Sequence, residues 1–86
     1  MDIKELIANV KKKLEKQIKI EDIKIEDKTF LHKKHLNFQE GKFHLKIILE
    51  SLELKSLNRI ESNKKIYKIL DEELREHIHS IQIFIR

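Results

Sequence analysis

The sequence predicts an α+β fold of order α-β-β-α-β, a three-stranded mixed sheet with two helices packed on one face. Three observations lead there. Apolar residues recur at three- and four-residue steps through the first helix-length stretch, two later stretches alternate strictly, and between Ile66 and Ile85 a helical period gives way to a strand period.

Asp2 followed by Glu5 imitates a capping box, and Ile3, Leu6, Ile7, Val10 and Leu14 trace one stripe, so a first helix is expected over 2–17. Its wet face carries Lys4, Asn9, Lys11, Lys12, Glu15 and Lys16. Alternation from Ile23 through Ile25 places a first strand near 22–29, after which no period survives from Phe30 to Lys42. The single glycine, Gly41, falls near the end of that stretch, where a turn needs positive φ. Loops of this length, about 12 residues, more often carry function.

From Phe43 the alternation returns. Phe43, Leu45, Ile47 and Leu49 face one way and His44, Lys46, Ile48 and Glu50 the other, a second strand antiparallel to the first. His44 is thereby expected on the polar face, in a structural or solvent-facing role. Leu52 and Leu54 fall in a poorly patterned link, and a second helix runs from Leu57 or Asn58 to about Glu76 on Ile66, Tyr67, Ile69, Leu70 and Leu74. The last strand is 78–85. His79 shares parity with Ile81, Ile83 and Ile85, so it is expected to point toward the apolar side at an open end of the sheet. His77 falls at the helix C-terminus, where the macrodipole favours an imidazole without any metal. Each strand has one apolar side to cover, which sends both helices to the same face; the helical crossover permits the last two strands to run parallel.

Eighty-six residues suit one small domain, here 1–86, burying roughly 60–65% of its unfolded-chain surface. No cysteine is present, so this chain alone builds no disulfide, thiolate metal site or cysteine nucleophile. No apolar run approaches the roughly 20 residues of a membrane span, and Met1 leads straight into a charged amphipathic segment, from which a cytoplasmic protein without membrane contact is expected. The net charge of +4 is mild, because 19 basic residues are interspersed with 15 acidic ones; Lys11, Lys12, Lys13, Lys33 and Lys34 form the densest clusters and could make weak contacts to nucleic-acid phosphates. Serines and five histidines are present, yet no nucleophile elbow, phosphate loop or H-E-x-x-H pattern accompanies them, so no enzymatic activity is expected. An exposed edge along Ile81 to Ile85 would allow a homodimer in the absence of another partner.

Several motifs, taken in order, resemble the BolA family, small α-β-β-α-β domains related to the type II KH topology. Asp27-Lys28-Thr29-Phe30-Leu31-His32 is similar to the family's D-x-S-x-x-H, and Phe43-His44-Leu45-Lys46-Ile47-Ile48-Leu49-Glu50-Ser51 to its H-F-x-V-x-x-V-S strand. Ile66-Tyr67, Leu70-Asp71-Glu72-Glu73-Leu74 and Ile78-His79-Ser80-Ile81 resemble V-Y-x-x-L-x-E-E-L and the terminal V-H-A-L. The likeness runs from about Leu6 to Ile85. Two departures stand out: Ser62-Asn63-Lys64 replaces R-H-R, and Leu54-Lys55-Ser56-Leu57 replaces the F-x-G-K turn.

The resemblance implies a non-enzymatic partner of a monothiol glutaredoxin (with glutathione), the two sharing a bridging [2Fe-2S] cluster in iron-sulfur trafficking or iron and redox regulation. It further implies that a loop histidine and the histidine opening the last strand are the ligands, which map onto His32, with His35 as its alternative, and His79. The chemistry is compatible: imidazole on one iron is an accepted substitution, and a cysteine-free chain must borrow its thiolates. No cluster is then expected on the isolated chain. The alternative the resemblance leaves open is a KH-like nucleic-acid-binding transcriptional regulator, against which stands the lack of a G-x-x-G clamp in a chain with one glycine.

Overall fold

The computed structural model describes residues 2–29 and 42–86. Along the chain lie α1 (Ile3–Gln17), β1 (Asp22–Asp27), β2 (Phe43–Glu50), α2 (Leu52–Lys55), α3 (Arg59–Ile69), α4 (Asp71–Glu76) and β3 (Ile78–Ile85). The three strands form one mixed sheet of order β1-β2-β3, with β1 antiparallel and β3 parallel to the central β2. The α+β architecture expected from the sequence is therefore the one observed.

Helix α1 starts where the Asp2 side chain accepts from the Glu5 amide at 2.8 Å, satisfying one of the donors a helix start leaves open. Its stripe buries Leu6, Val10 and Leu14, which meet Leu45, Ile47 and Leu49 of β2, Ile66 of α3 and Leu70 at the α3–α4 junction in a single apolar cluster. The helices thus cover the odd-numbered face of β2. Each such aliphatic side chain, taken fully out of water, contributes about 1.5–3 kcal/mol, more than the roughly 1 kcal/mol of a helix cap. The core, rather than the caps, sets the fold.

The second helix expected over about 58–76 is broken into two pieces, α3 and α4, and the stretch before it is itself helical. Ser51 Oγ accepts from the Leu54 amide and donates to the Lys19 carbonyl, which turns the supposed link into the short helix α2. Asn58 caps α3 on the Glu61 amide at 2.8 Å. At Leu70 the backbone leaves helical geometry (φ −95°, ψ 16°), separating α3 from α4 while Leu70 stays wholly buried. β1 also ends at Asp27, two residues earlier than its alternation suggests, because the Asp27 carboxylate takes the Thr29 amide at 2.9 Å in an Asx turn.

Strand β3 differs from expectation at its start. Phe43 of β2 pairs with Ile78, but the next residue, His44, pairs with Ser80. His79 is an extra residue, a bulge in the parallel ladder. Ile78 and Ile81 have opposite parity in the sequence, yet the bulge lets both reach the core side, where Ile78 is buried and Ile81 packs against the cluster. His79 is consequently not turned to the apolar side; it is exposed.

Candidate functional site

Because β2 and β3 run parallel and β1 runs against them, one end of the sheet gathers the last residues of β1 and the first residues of both other strands. Lys28 and Phe43, on either side of residues 30–41, both lie there. The Lys28 amide donates to the His44 carbonyl at 2.7 Å, and the Phe43 amide to the His77 carbonyl at 2.9 Å, which joins the end of β1, the start of β2 and the approach to β3. Thr29 adds a side-chain clasp. Its Oγ1 donates to the Asp27 carboxylate and accepts from the His44 amide at 3.1 Å.

Two imidazoles stand at this rim. His44 belongs to the sheet's outer face, as its parity requires, but it is 5% exposed rather than solvent-facing. Its Nδ1 lies 2.6 Å from Ser80 Oγ on the neighbouring strand. The His79 ring meets it edge-on, with centroids 5.0 Å apart and planes at 61°. The bulge explains the contact: a residue inserted between the pairs Phe43–Ile78 and His44–Ser80 leaves the regular alternation and turns out beside His44. His77, the C-cap of α4, is half-buried and lies 3.8 Å from the Glu76 carboxylate through its Nε2.

His32, its alternative His35, and Lys33 and Lys34 lie outside the described residues. Among the described residues no three His, Asp or Glu side chains converge as a metal cage.

A second feature lies along α1. Lys12 and Lys16, one turn apart, line with Asn9, Lys13, Glu73 and His77 a cleft of about 320 Å³ between α1 and α4. A neighbouring cleft of about 590 Å³ carries Lys65 and Lys68 of α3. Of the lysine cluster on α1, Lys13 is already engaged: its Nζ is 2.7 Å from Glu73 Oε2 and 3.6 Å from Glu72 Oε2. The hydrogen bond that the Lys13 ammonium donates to Glu73 holds it above its ordinary value; desolvation works against this and the attraction of both carboxylates adds to it. Lys65 is likewise paired with Glu53, at 2.9 Å. Lys12, Lys16 and Lys68 make no ion pair among the described residues. Lys11 is exposed on the outer side of α1.

Parity alone does not reveal His44 as the neighbour of His79, nor Ser80 as the partner of His44. The signal was the three-residue step between Ile78 and Ile81, which places two core isoleucines at opposite parity and requires an irregularity between them.

The BolA-like protein family matches residues 14–86 of this chain. A protein of Haemophilus influenzae named DNA-binding transcriptional regulator BolA is 27% identical over 76 residues, which is 88% of this chain and 71% of that protein. Among solved structures, the BolA domain of SufE1 from Arabidopsis thaliana superposes with a TM-score of 0.78 at 22% identity, over 92% of this chain and 87% of that one. BolA1 from Arabidopsis thaliana gives 0.76 at 22% identity with the same coverage. BolA1 from Mus musculus gives 0.71 at 18% identity, over 90% of this chain and 60% of that one. At such identities the structural likeness is one of fold.

Proposed function

The chain belongs to the BolA-like protein family, and from that membership we propose that it is a non-enzymatic partner of a monothiol glutaredoxin, sharing a bridging [2Fe-2S] cluster. The observation that carries this reading is the placement of His79. Its imidazole is exposed at the sheet end where the described residues flanking the stretch that holds His32 and His35, Lys28 and Phe43, are both hydrogen-bonded. His79 would be one ligand, and His32, or His35 in its place, the second. The partner and its glutathione would supply the two thiolates this chain lacks.

Such a cluster, held by imidazoles from this chain, would supply one-electron chemistry at a potential above that of an all-thiolate centre. The chain's own residues orient and expose. The bulge pushes His79 out of the pleat, and the Thr29–His44 clasp holds the departing end of β1 against β2. Were the cluster bound, His79 would hold it through a neutral ring nitrogen.

Anaerobic mixing with a cluster-loaded monothiol glutaredoxin is expected to change the visible absorption and circular dichroism. His79→Ala should abolish the change and leave the far-ultraviolet spectrum as it was. An unaltered visible spectrum with the wild-type chain would refute the proposal.

A second reading has its own support in Lys12, Lys16 and Lys68, cations without an ion pair among the described residues that line adjoining clefts, and in the name of the Haemophilus influenzae relative. In this reading the clefts, with Lys11 beside them, contact nucleic-acid phosphates. Residues Ser62, Asn63 and Lys64 stand where the family pattern is more basic, which weakens that turn as a contact. Filter binding at two salt concentrations separates the readings: phosphate contacts give a log-log slope of about −0.9 per contact on duplex DNA, whereas a chain that only serves the glutaredoxin shows no retention.

A further inference from the structure

We infer that His44 is a positioning residue for His79, holding its exposed imidazole in one orientation, and that Ser80 fixes His44 for this task. This deepens the proposed cluster reading and rests on it only for its consequence; the orientation itself is a property of the isolated chain.

An exposed side chain at a bulge would ordinarily sample its staggered rotamers. His79 does not face water alone. Its ring lies edge-on to His44 at 5.0 Å, and His44 is itself held at two places. The backbone amide donates to Thr29 Oγ1 at 3.1 Å, and the ring Nδ1 sits 2.6 Å from Ser80 Oγ. The ring contact to Ser80 opposes rotation of the imidazole, and burial at 5% exposure leaves it little room to swing. A fixed ring then meets a movable one in an edge-to-face geometry that aromatic pairs favour.

Ser80 is the informative member. It is exposed on the outer face of β3, so neither the core nor the ladder requires a hydroxyl there. Alanine stands at the equivalent place in the V-H-A-L pattern to which this strand is similar, so the bond to His44 sets this chain apart from that pattern. Second-sphere bonds of this kind fix the direction in which an imidazole presents its nitrogen.

The test uses the isolated full chain, labelled with ¹⁵N and ¹³C, without any cluster. In the wild type the three-bond couplings from the His79 backbone nitrogen and carbonyl carbon to Cγ should report one dominant χ1 rotamer, with a cross-relaxation peak between the two rings. Ser80→Ala should lose both signatures, and Ser80→Thr, which keeps the hydroxyl, should retain them. His44→Leu should average the His79 couplings as well; should that variant fail to fold, the exposed Ser80 pair decides alone. Couplings that are averaged in the wild type, or that stay at the single-rotamer limit in Ser80→Ala and in a folded His44→Leu, would overturn the inference. A separate arm adds cluster-loaded glutaredoxin, where Ser80→Ala should release the cluster faster than wild type. Locked couplings without a visible spectral change in the wild type would defeat the cluster reading and leave the positioning role standing; a cluster formed beside a freely rotating His79 would do the reverse.

Discussion

Lys13 Nζ rests 2.7 Å from Glu73 Oε2, tying the middle of α1 to α4. The Glu73 side chain is 7% exposed and the Lys13 side chain 39%, so the pair is wet on one side only. The pair shares a cleft with His77, the C-cap of α4, and α4 leads directly into β3. Its integrity therefore bears on where β3 begins.

Replacing Lys13 with methionine keeps the apolar stem and removes the cation, leaving a buried carboxylate without its partner. Fully buried pairs broken in this way lose 3–5 kcal/mol; with Lys13 partly in water the expected loss is about 1–2 kcal/mol. Urea titration measures it. The double variant Lys13→Met, Glu73→Leu should regain most of the loss, since an apolar pair of similar size needs no desolvation.

The same pair shapes the alkaline limb of stability. Folding raises the Lys13 value above its ordinary 10.5, chiefly through the hydrogen bond to Glu73. Its contribution is complete below 10.5 and disappears as pH climbs through the raised value. Wild type should thus lose urea resistance on that limb more steeply than Lys13→Met, and parallel curves would contradict the assignment.

Glu53 governs the opposite limb. The hydrogen bond from Lys65, followed by that from the Lys19 amide, draws its carboxyl below the ordinary 4.5. A lowered carboxyl contributes stability that is present above 4.5 and is lost as pH falls through the lowered value. Glu53→Gln should flatten the acid limb of the denaturation midpoint while leaving the alkaline limb alone. The carboxylate is partly exposed, so added salt should shrink the difference.

Leu70 sits at the break between α3 and α4 with no exposed surface. Leu70→Ala should cost about 2–5 kcal/mol, the range for a cavity in a packed core. Asn58→Ala, which removes the cap of α3, should cost about 1 kcal/mol. Thermal denaturation ranks the two, and a larger loss at Asn58 would contradict the view that packing outweighs capping here.

Much of this architecture can be read without coordinates, for identifiable reasons. Asp2, Glu5 and the stripe from Ile3 to Leu14 place α1 to within a residue, because cap and period agree. The faces of β2 follow from alternation alone. The break at Leu70 is invisible in the sequence, since neither glycine nor proline marks it and Leu70 fits the helical period on either side. The short helix α2 hides because Ser51 spends its hydroxyl on both a cap and the distant Lys19 carbonyl. For the candidate site, the end of the sheet was foreseeable and the orientation of His79 was not. Parity predicts the face of a side chain only while the ladder stays regular, and the irregularity falls on the residue of interest.

That irregularity has a further implication. Excising His79 altogether would leave Phe43 opposite Ile78 and His44 opposite Ser80 in an unbroken pleat, with every isoleucine of β3 still inward. Excising Gln82 instead would turn Ile83 and Ile85 out to water. The sheet has no need of the residue at 79: a chain shortened there should fold as before, its hydrogen-bonded rungs complete, and lack nothing but the imidazole.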